Sequence, residues 1–87
     1  MVRIAICDDE SVFSEGLQRR LKQEFGSYDI ECDFYIVLNG KELISLCQNR
    51  RIDVVFLDIM MPGIDGYATA ERIRKIHKNI MIVFISN

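Results

Sequence analysis

Four side chains stand where the sequence makes chemistry possible: Asp8, Asp9, Asp58 and Ser86. Each follows a short apolar run: Ile4-Ala5-Ile6-Cys7 ahead of the first pair, Val54-Val55-Phe56-Leu57 ahead of Asp58, and residues 80–85 ahead of Ser86. Uniformly apolar runs of this length suit strands covered on both faces. Groups just beyond the carboxyl ends of such strands gather in a crevice at one edge of a parallel sheet. Two carboxylates about 5 Å apart repel by roughly 3 kcal/mol at an effective dielectric of 20, and three repel more. Such a cluster attracts a cation, and hard oxygen ligands with room left for water and phosphate oxygens suit Mg2+. The turn at Pro62-Gly63 can leave a backbone carbonyl near Met60 facing the acids. An Asp-Asp pair after a strand also suits the N-cap of the next helix, as Asp65 does ahead of the third helix. The conjunction of two acid-tipped strands favours a site.

The elements that must carry these groups alternate in period. After the first strand, Phe13, Leu17, Leu21 and Phe25 recur at helical spacing, with Gly26 placed as a stop. Ile30, Cys32, Phe34 and Ile36 alternate with Glu31, Asp33 and Tyr35, the period of a half-exposed strand near a sheet edge. Asn39 and Glu42 resemble a capping box opening a second helix to about residue 49, with Leu43, Ile44 and Cys47 on its apolar side. A third helix follows Asp65-Gly66, with Tyr67, Ala70 and Ile73 on one face and Arg72, Arg74, Lys75 and Lys78 at its basic end. The order βαβαβαβ predicts a doubly wound parallel α/β sheet with right-handed crossovers and helices on both faces.

Composition narrows the function classes. The 87 residues fit one domain, and 49% hydrophobic with 28% charged residues excludes a disordered chain. Eleven basic against thirteen acidic side chains, a formal charge of −2, give no pull toward nucleic acid or an anionic membrane. Cys7, Cys32 and Cys47 are odd in number and form no CxxC, so they imply neither a disulfide framework nor zinc. Cys7 and Cys32 suit small buried hydrophobes in a reducing cytosol. The opening apolar run is too short for a signal peptide or a membrane span, which points to a cytoplasmic location. His77 falls in a polar, basic stretch and is expected to be a solvated surface residue.

With the acid pair, the segment Leu57-Asp58-Ile59-Met60-Met61-Pro62-Gly63-Ile64-Asp65-Gly66 and the hydroxyl after the fourth strand in view, the chain resembles the receiver domains of two-component response regulators over all 87 residues. The resemblance implies a flavodoxin-like (CheY-like) sheet of order 2-1-3-4. It implies Asp58 as phosphoacceptor for a sensor histidine kinase. It further implies Mg2+ bound directly by Asp9, Asp58 and the Met60 carbonyl, with Asp8 acting through water, and Ser86 as the switch hydroxyl. The segments Val2-Arg3-Ile4-Ala5-Ile6-Cys7-Asp8-Asp9-Glu10 and Phe84-Ile85-Ser86-Asn87 are similar to receivers that precede a LytTR-type DNA-binding domain, which implies a transcription-regulating output.

Receivers continue past their fourth strand with a helix, a fifth strand ending in a phosphoryl-contacting Lys, and a final helix. The resemblance therefore implies that residues 1–87 are a partial receiver lacking that helix-strand-helix, with weakened phosphoryl transfer and a fourth strand left as an apolar edge. Such an edge is expected to pair with a second copy or exchange elements with it. Three other readings share these residues. A haloacid-dehalogenase-type phosphatase needs a second acid where Met60 stands, and a flavin carrier needs a phosphate loop where Asp8-Asp9-Glu10 would repel phosphate. The third is a docking module that keeps the fold without phosphorylation.

Overall fold

Three apolar runs and one alternating segment become four parallel strands with helices packed on their faces. The computed structural model describes residues 1–86; Asn87, quoted in the resemblance above, lies outside the described residues. In chain order the elements are β1 (Val2–Cys7), α1 (Ser11–Gly26), β2 (Cys32–Val37), α2 (Gly40–Asn49), β3 (Val54–Asp58), α3 (Gly66–Ile76) and β4 (Met81–Ile85). The sheet order is β2-β1-β3-β4, as the resemblance to receivers implies, and every neighbouring pair is parallel. Register levels the functional ends: Cys7 lies opposite Leu57, so Asp8 leaves β1 where Asp58 closes β3, and Asp58 lies opposite Ile85.

Strand alternation divides the core between two faces. Ala5, Cys7, Val55 and Leu57 are buried in one cluster with Leu43 and Cys47 of α2 and with Ala70 and Ile73 of α3. Ile4 and Ile6, of the opposite parity, are buried on the side of α1, which packs on β1 and β2. The β3 and β4 half of that side carries no helix of its own among the described residues. Val54, Phe56, Val83 and Ile85 are accordingly only half-buried there, and Met81 is exposed. For the same reason the stripe Phe13, Leu17, Leu21 and Phe25 reaches only half burial.

The one fully buried residue of α1 is Ser14, whose Oγ has no hydrogen-bond partner. An unsatisfied buried hydroxyl costs about 1–3 kcal/mol, and alanine is also the better helix former. Ser14→Ala is therefore expected to stabilise the fold by about 1 kcal/mol, read as a higher denaturant midpoint at an unchanged slope.

Several local expectations hold and others are corrected. Asn39 caps α2 through Oδ1 accepting the Glu42 N–H at 2.9 Å, while the Glu42 carboxylate reaches back to the Leu38 N–H at 3.1 Å. Asp65 caps α3 by accepting the Ala68 N–H at 2.9 Å. Helix α1 ends at Gly26, as expected, but the left-handed φ that follows, 58°, falls on Asp29. Cys32 is half-buried instead of buried, because it opens an edge strand. His77 is half-buried and donates from Nε2 to the Cys47 carbonyl at 2.8 Å, tying the end of α3 to α2. Lys78 lies past α3, whose last turn keeps Arg74 and Lys75. At the opposite end of the sheet from the acids, Asp53 joins three strands. Its carboxylate accepts the Arg3 N–H at 2.8 Å, and its carbonyl accepts from Met81 at 3.1 Å.

Candidate functional site

Asp8 and Asp58 are pulled below the surface by the strands they end, at 0% and 4% exposure, while Asp9 stands exposed beside them. One carboxylate oxygen from each of the three lies within 4.8 Å of the others, close enough for a single cation to touch all three. None of these oxygens caps α1 from its N-cap position: Glu10 sits there, and its side chain makes no capping hydrogen bond. Asp8 instead accepts the Glu10 N–H at 2.9 Å, which turns the chain out of β1 and holds the carboxylate in place. Asp58 is held in the same way, accepting the Met60 N–H at 3.2 Å. Two Asx-type turns thus aim two acids at one point.

The loop after β3 completes the frame. Met60 is exposed, whereas the adjacent Met61 is buried, its Sδ 3.6 Å from the Cys7 Sγ, so one side chain of the pair anchors the loop in the core. The Ile59 N–H donates to the Ile85 carbonyl, locking the loop to the end of β4, and the Gly66 N–H returns to the Ile59 carbonyl at 3.0 Å. Ser86 follows directly at that edge and is exposed. Gly66 and Gly40 are positioning residues whose only sequence signal is the turn at Asp65-Gly66. A Cβ at Gly66 would overlap the Asp58 carbonyl oxygen, and one at Gly40 would overlap the Thr69 hydroxyl, which donates to the Asp65 carbonyl at 2.8 Å.

Electrostatics agrees with the geometry. Burial raises the Asp58 carboxyl above its ordinary value and the charges of Asp8 and Asp9 raise it further, while the N–H groups of Met60 and Ile59 oppose the shift. The folded state therefore holds this proton more tightly than the unfolded chain does. Stability is lost as pH rises from the ordinary carboxylate range through the raised value. Thermal melts are expected to fall across that window without divalent cation, and added Mg2+ is expected to restore more stability above it than below it, where protons compete for the same oxygens. A Mg2+ effect independent of pH would contradict this. The thiols take no part: burial pushes Cys7 up to about 12, helped by Asp8, and Cys47 up to about 11.

The response regulator receiver domain family matches residues 4–87. The chain belongs to that family. Response regulator MprA of Mycobacterium sp. (strain KMS) is 33% identical over 85 residues, which cover 98% of this chain and 34% of MprA. The receiver described here thus spans about a third of the length of the curated relatives it matches. Among solved structures, response regulator protein TrrA of Thermotoga maritima, in complex with Mg2+-BeF, is similar with a TM-score of 0.86 and 34% identity, over 99% of this chain and 70% of that one. TrrA in complex with histidine kinase ThkA gives a TM-score of 0.84 at the same identity, over 99% of this chain and 69% of that one. This chain is accordingly a response regulator receiver domain, a signal-transduction module of two-component systems, and its flavodoxin-like fold is shared with these relatives. No helix among the described residues is long and apolar enough to cross a membrane.

Proposed function

We propose that this receiver accepts a phosphoryl group on Asp58 from the phosphohistidine of a sensor histidine kinase, one group per chain and without turnover. The observation that carries the proposal is the convergence of Asp8, Asp9 and Asp58 within 4.8 Å at the carboxyl edge of the sheet. An Asp58 oxygen attacks phosphorus, the new O–P bond replaces the P–N bond to the kinase imidazole, and the imidazole leaves with the bond electrons. Asp8 and Asp9 supply charge and orientation, and the Asx turn at Met60 keeps one Asp58 oxygen occupied so that the other faces the donor. An all-oxygen donor set with open positions fits Mg2+, held by Asp9, Asp58 and the Met60 carbonyl with Asp8 through water. When bound, the ion supplies the positive charge that offsets the phosphoryl oxygens.

Phosphorylation replaces the single charge of the Asp58 carboxylate with close to two on the phosphoryl group and places three acceptor oxygens beside Ser86. Its hydroxyl turns toward them and draws the segment after β4 inward, which converts a local charge change into a surface change. The Mg2+-BeF complex of TrrA and the TrrA complex with ThkA support the metal and the kinase as partners. The reading places the domain in the cytoplasm, as the partial receiver 1–87 of a transcription regulator whose LytTR-type output domain binds DNA while this segment does not. Titration of the 87-residue chain with beryllofluoride and Mg2+ tests it: saturable binding that requires Mg2+ is the expected result. Absence of binding by a folded chain would favour the docking-module reading instead.

A further inference from the structure

β2 is the outer strand of the order β2-β1-β3-β4, and a strand added beside β4 would leave it so. Its bonds to β1 fix which groups face out. The Val2 N–H donates to the Glu31 carbonyl and the Asp8 N–H to the Val37 carbonyl, so residues 31, 33, 35 and 37 bond inward. By alternation, Cys32, Phe34 and Ile36 direct both their N–H and C=O groups away from the sheet. Side chains divide by the same parity. Tyr35 and Val37 pack against the cluster shared with α2, which leaves Phe34 and Ile36 on the α1 side. Asp33 lies on the α2 side and is exposed, and there the Arg50 guanidinium stands 5.6 Å from the centroid of the Tyr35 ring. The one ion pair among the described residues joins Arg51 to Asp53, so neither Asp33 nor Arg50 has an oppositely charged group within 4.0 Å among them.

Three outward residues at alternate positions are self-complementary under a two-fold axis. With Phe34 opposite the partner's Phe34, those two exchange a pair of backbone hydrogen bonds. Cys32 of each copy exchanges another pair with the partner's Ile36. Charge selects this register over its neighbours. Asp33 comes directly across from the partner's Tyr35, a close non-hydrogen-bonded pair, and so meets the Arg50 that lies over that ring. The axis repeats the ion pair on its other side. Centring on Asp33 instead would set two carboxylates face to face, and centring on Tyr35 would bring two Arg50 side chains together. Arg3, the β1 neighbour of Asp33, adds a cation on the same face. On the α1 side the facing residues are apolar throughout. Phe34 meets Phe34, Cys32 meets Ile36, and just beyond the strand ends Ile30, 40% exposed, comes level with the partner's Leu38, 45% exposed. We propose that two copies of this chain pair through β2 in antiparallel orientation, centred on Phe34, forming one continuous sheet. The proposal rests on the edge and its charges and is independent of phosphorylation.

Sedimentation velocity under reducing conditions, over a concentration series, tests it. The expected result is a concentration-dependent species of twice the monomer mass, weakened by added salt. Asp33→Lys sets a cation against the partner's Arg50, and Arg50→Glu sets an acid against the partner's Asp33. Each is expected to weaken association on the order of tenfold. Mixing the two variants makes both ion pairs complementary again and is expected to restore the dimer, which unfolded chains could not do. Cys32→Pro removes an outward N–H at the first residue of the strand, where proline is tolerated, and is expected to weaken pairing while the far-UV spectrum persists. A monomer at every concentration overturns the proposal. So does a dimer indifferent to all three substitutions, whose contact would lie elsewhere on the chain. Charge variants that fail to associate when mixed, or strengthening with salt, overturn the register centred on Phe34.

Discussion

Asp58→Ala is expected to eliminate the mass increase of one phosphoryl group that a small-molecule phosphodonor produces in the presence of Mg2+. The loss should be complete and not partial, because the substitution removes the attacking oxygen itself. Asp8 and Asp9 do not replace it: Asp8 is held by its own Asx turn to Glu10, and Asp9 stands exposed at the rim. Asp9→Ala is expected to leave a slower reaction that more Mg2+ partly restores, since it deletes one proposed ligand and spares the proposed nucleophile. Ser86→Ala is expected to keep the mass increase. Misfolding is separable from loss of chemistry in this case. The Asp58 carboxyl is raised by burial and by its acidic neighbours, so it opposes folding at neutral pH, and the alanine variant should melt no lower than the parent without Mg2+. A phosphorylated Asp58→Ala chain would move the acceptor to another residue and overturn the assignment.

The sequence carries the site more fully than it carries the packing around it. Acid-tipped apolar runs are local signals, and register then does the rest. Cys7 opposite Leu57 brings Asp8 level with Asp58 with no further adjustment. Asn39 and Asp65 were legible as caps because capping depends on residues three apart in the chain. What the sequence does not carry depends mostly on partners distant along the chain. His77 looks solvated within its basic stretch, yet it meets a carbonyl thirty residues away that only the packing of α3 on α2 brings near. The α1 stripe has helical spacing, but its depth of burial depends on how much of the sheet lies beneath it. Of Met60 and Met61, identical in type and adjacent, one is exposed and one anchors the loop against Cys7, a choice made by the direction of the chain after Asp58. Ser14, polar and fully buried, has no sequence signal, since its neighbours in the helix pattern predict a position beside the apolar stripe.

Gly66→Ala is expected to be the most damaging single-methyl change near the site. The first residue of α3 sits directly on the end of β3: a Cβ there would overlap the Asp58 carbonyl oxygen and lie 2.8 Å from the Ile59 Cα. Both obstacles are backbone, so no side-chain rotation relieves them, and either α3 or the strand end must move. Glycine is needed here for space, whereas Gly63, at φ 81° with nothing near its missing Cβ, is needed for its backbone conformation. Overpacking of this kind costs about 3 kcal/mol, a large share of the stability of so small a domain. The damage is also functional. Moving Ile59 breaks its carbonyl from the Gly66 N–H and its N–H from the Ile85 carbonyl, and it swings the Met60 N–H away from the Asp58 oxygen. Gly66→Ala should therefore lose Mg2+-dependent beryllofluoride binding even at low temperature, where most of the chain is still folded. Gly26→Ala is the control: it lies at the end of α1 with nothing within 4 Å of its missing Cβ, and it is expected to keep beryllofluoride affinity within a few fold per folded chain. If Gly66→Ala binds beryllofluoride as tightly as the parent, the α3 terminus yields without disturbing Asp58, and the acceptor is positioned by its Asx turn alone.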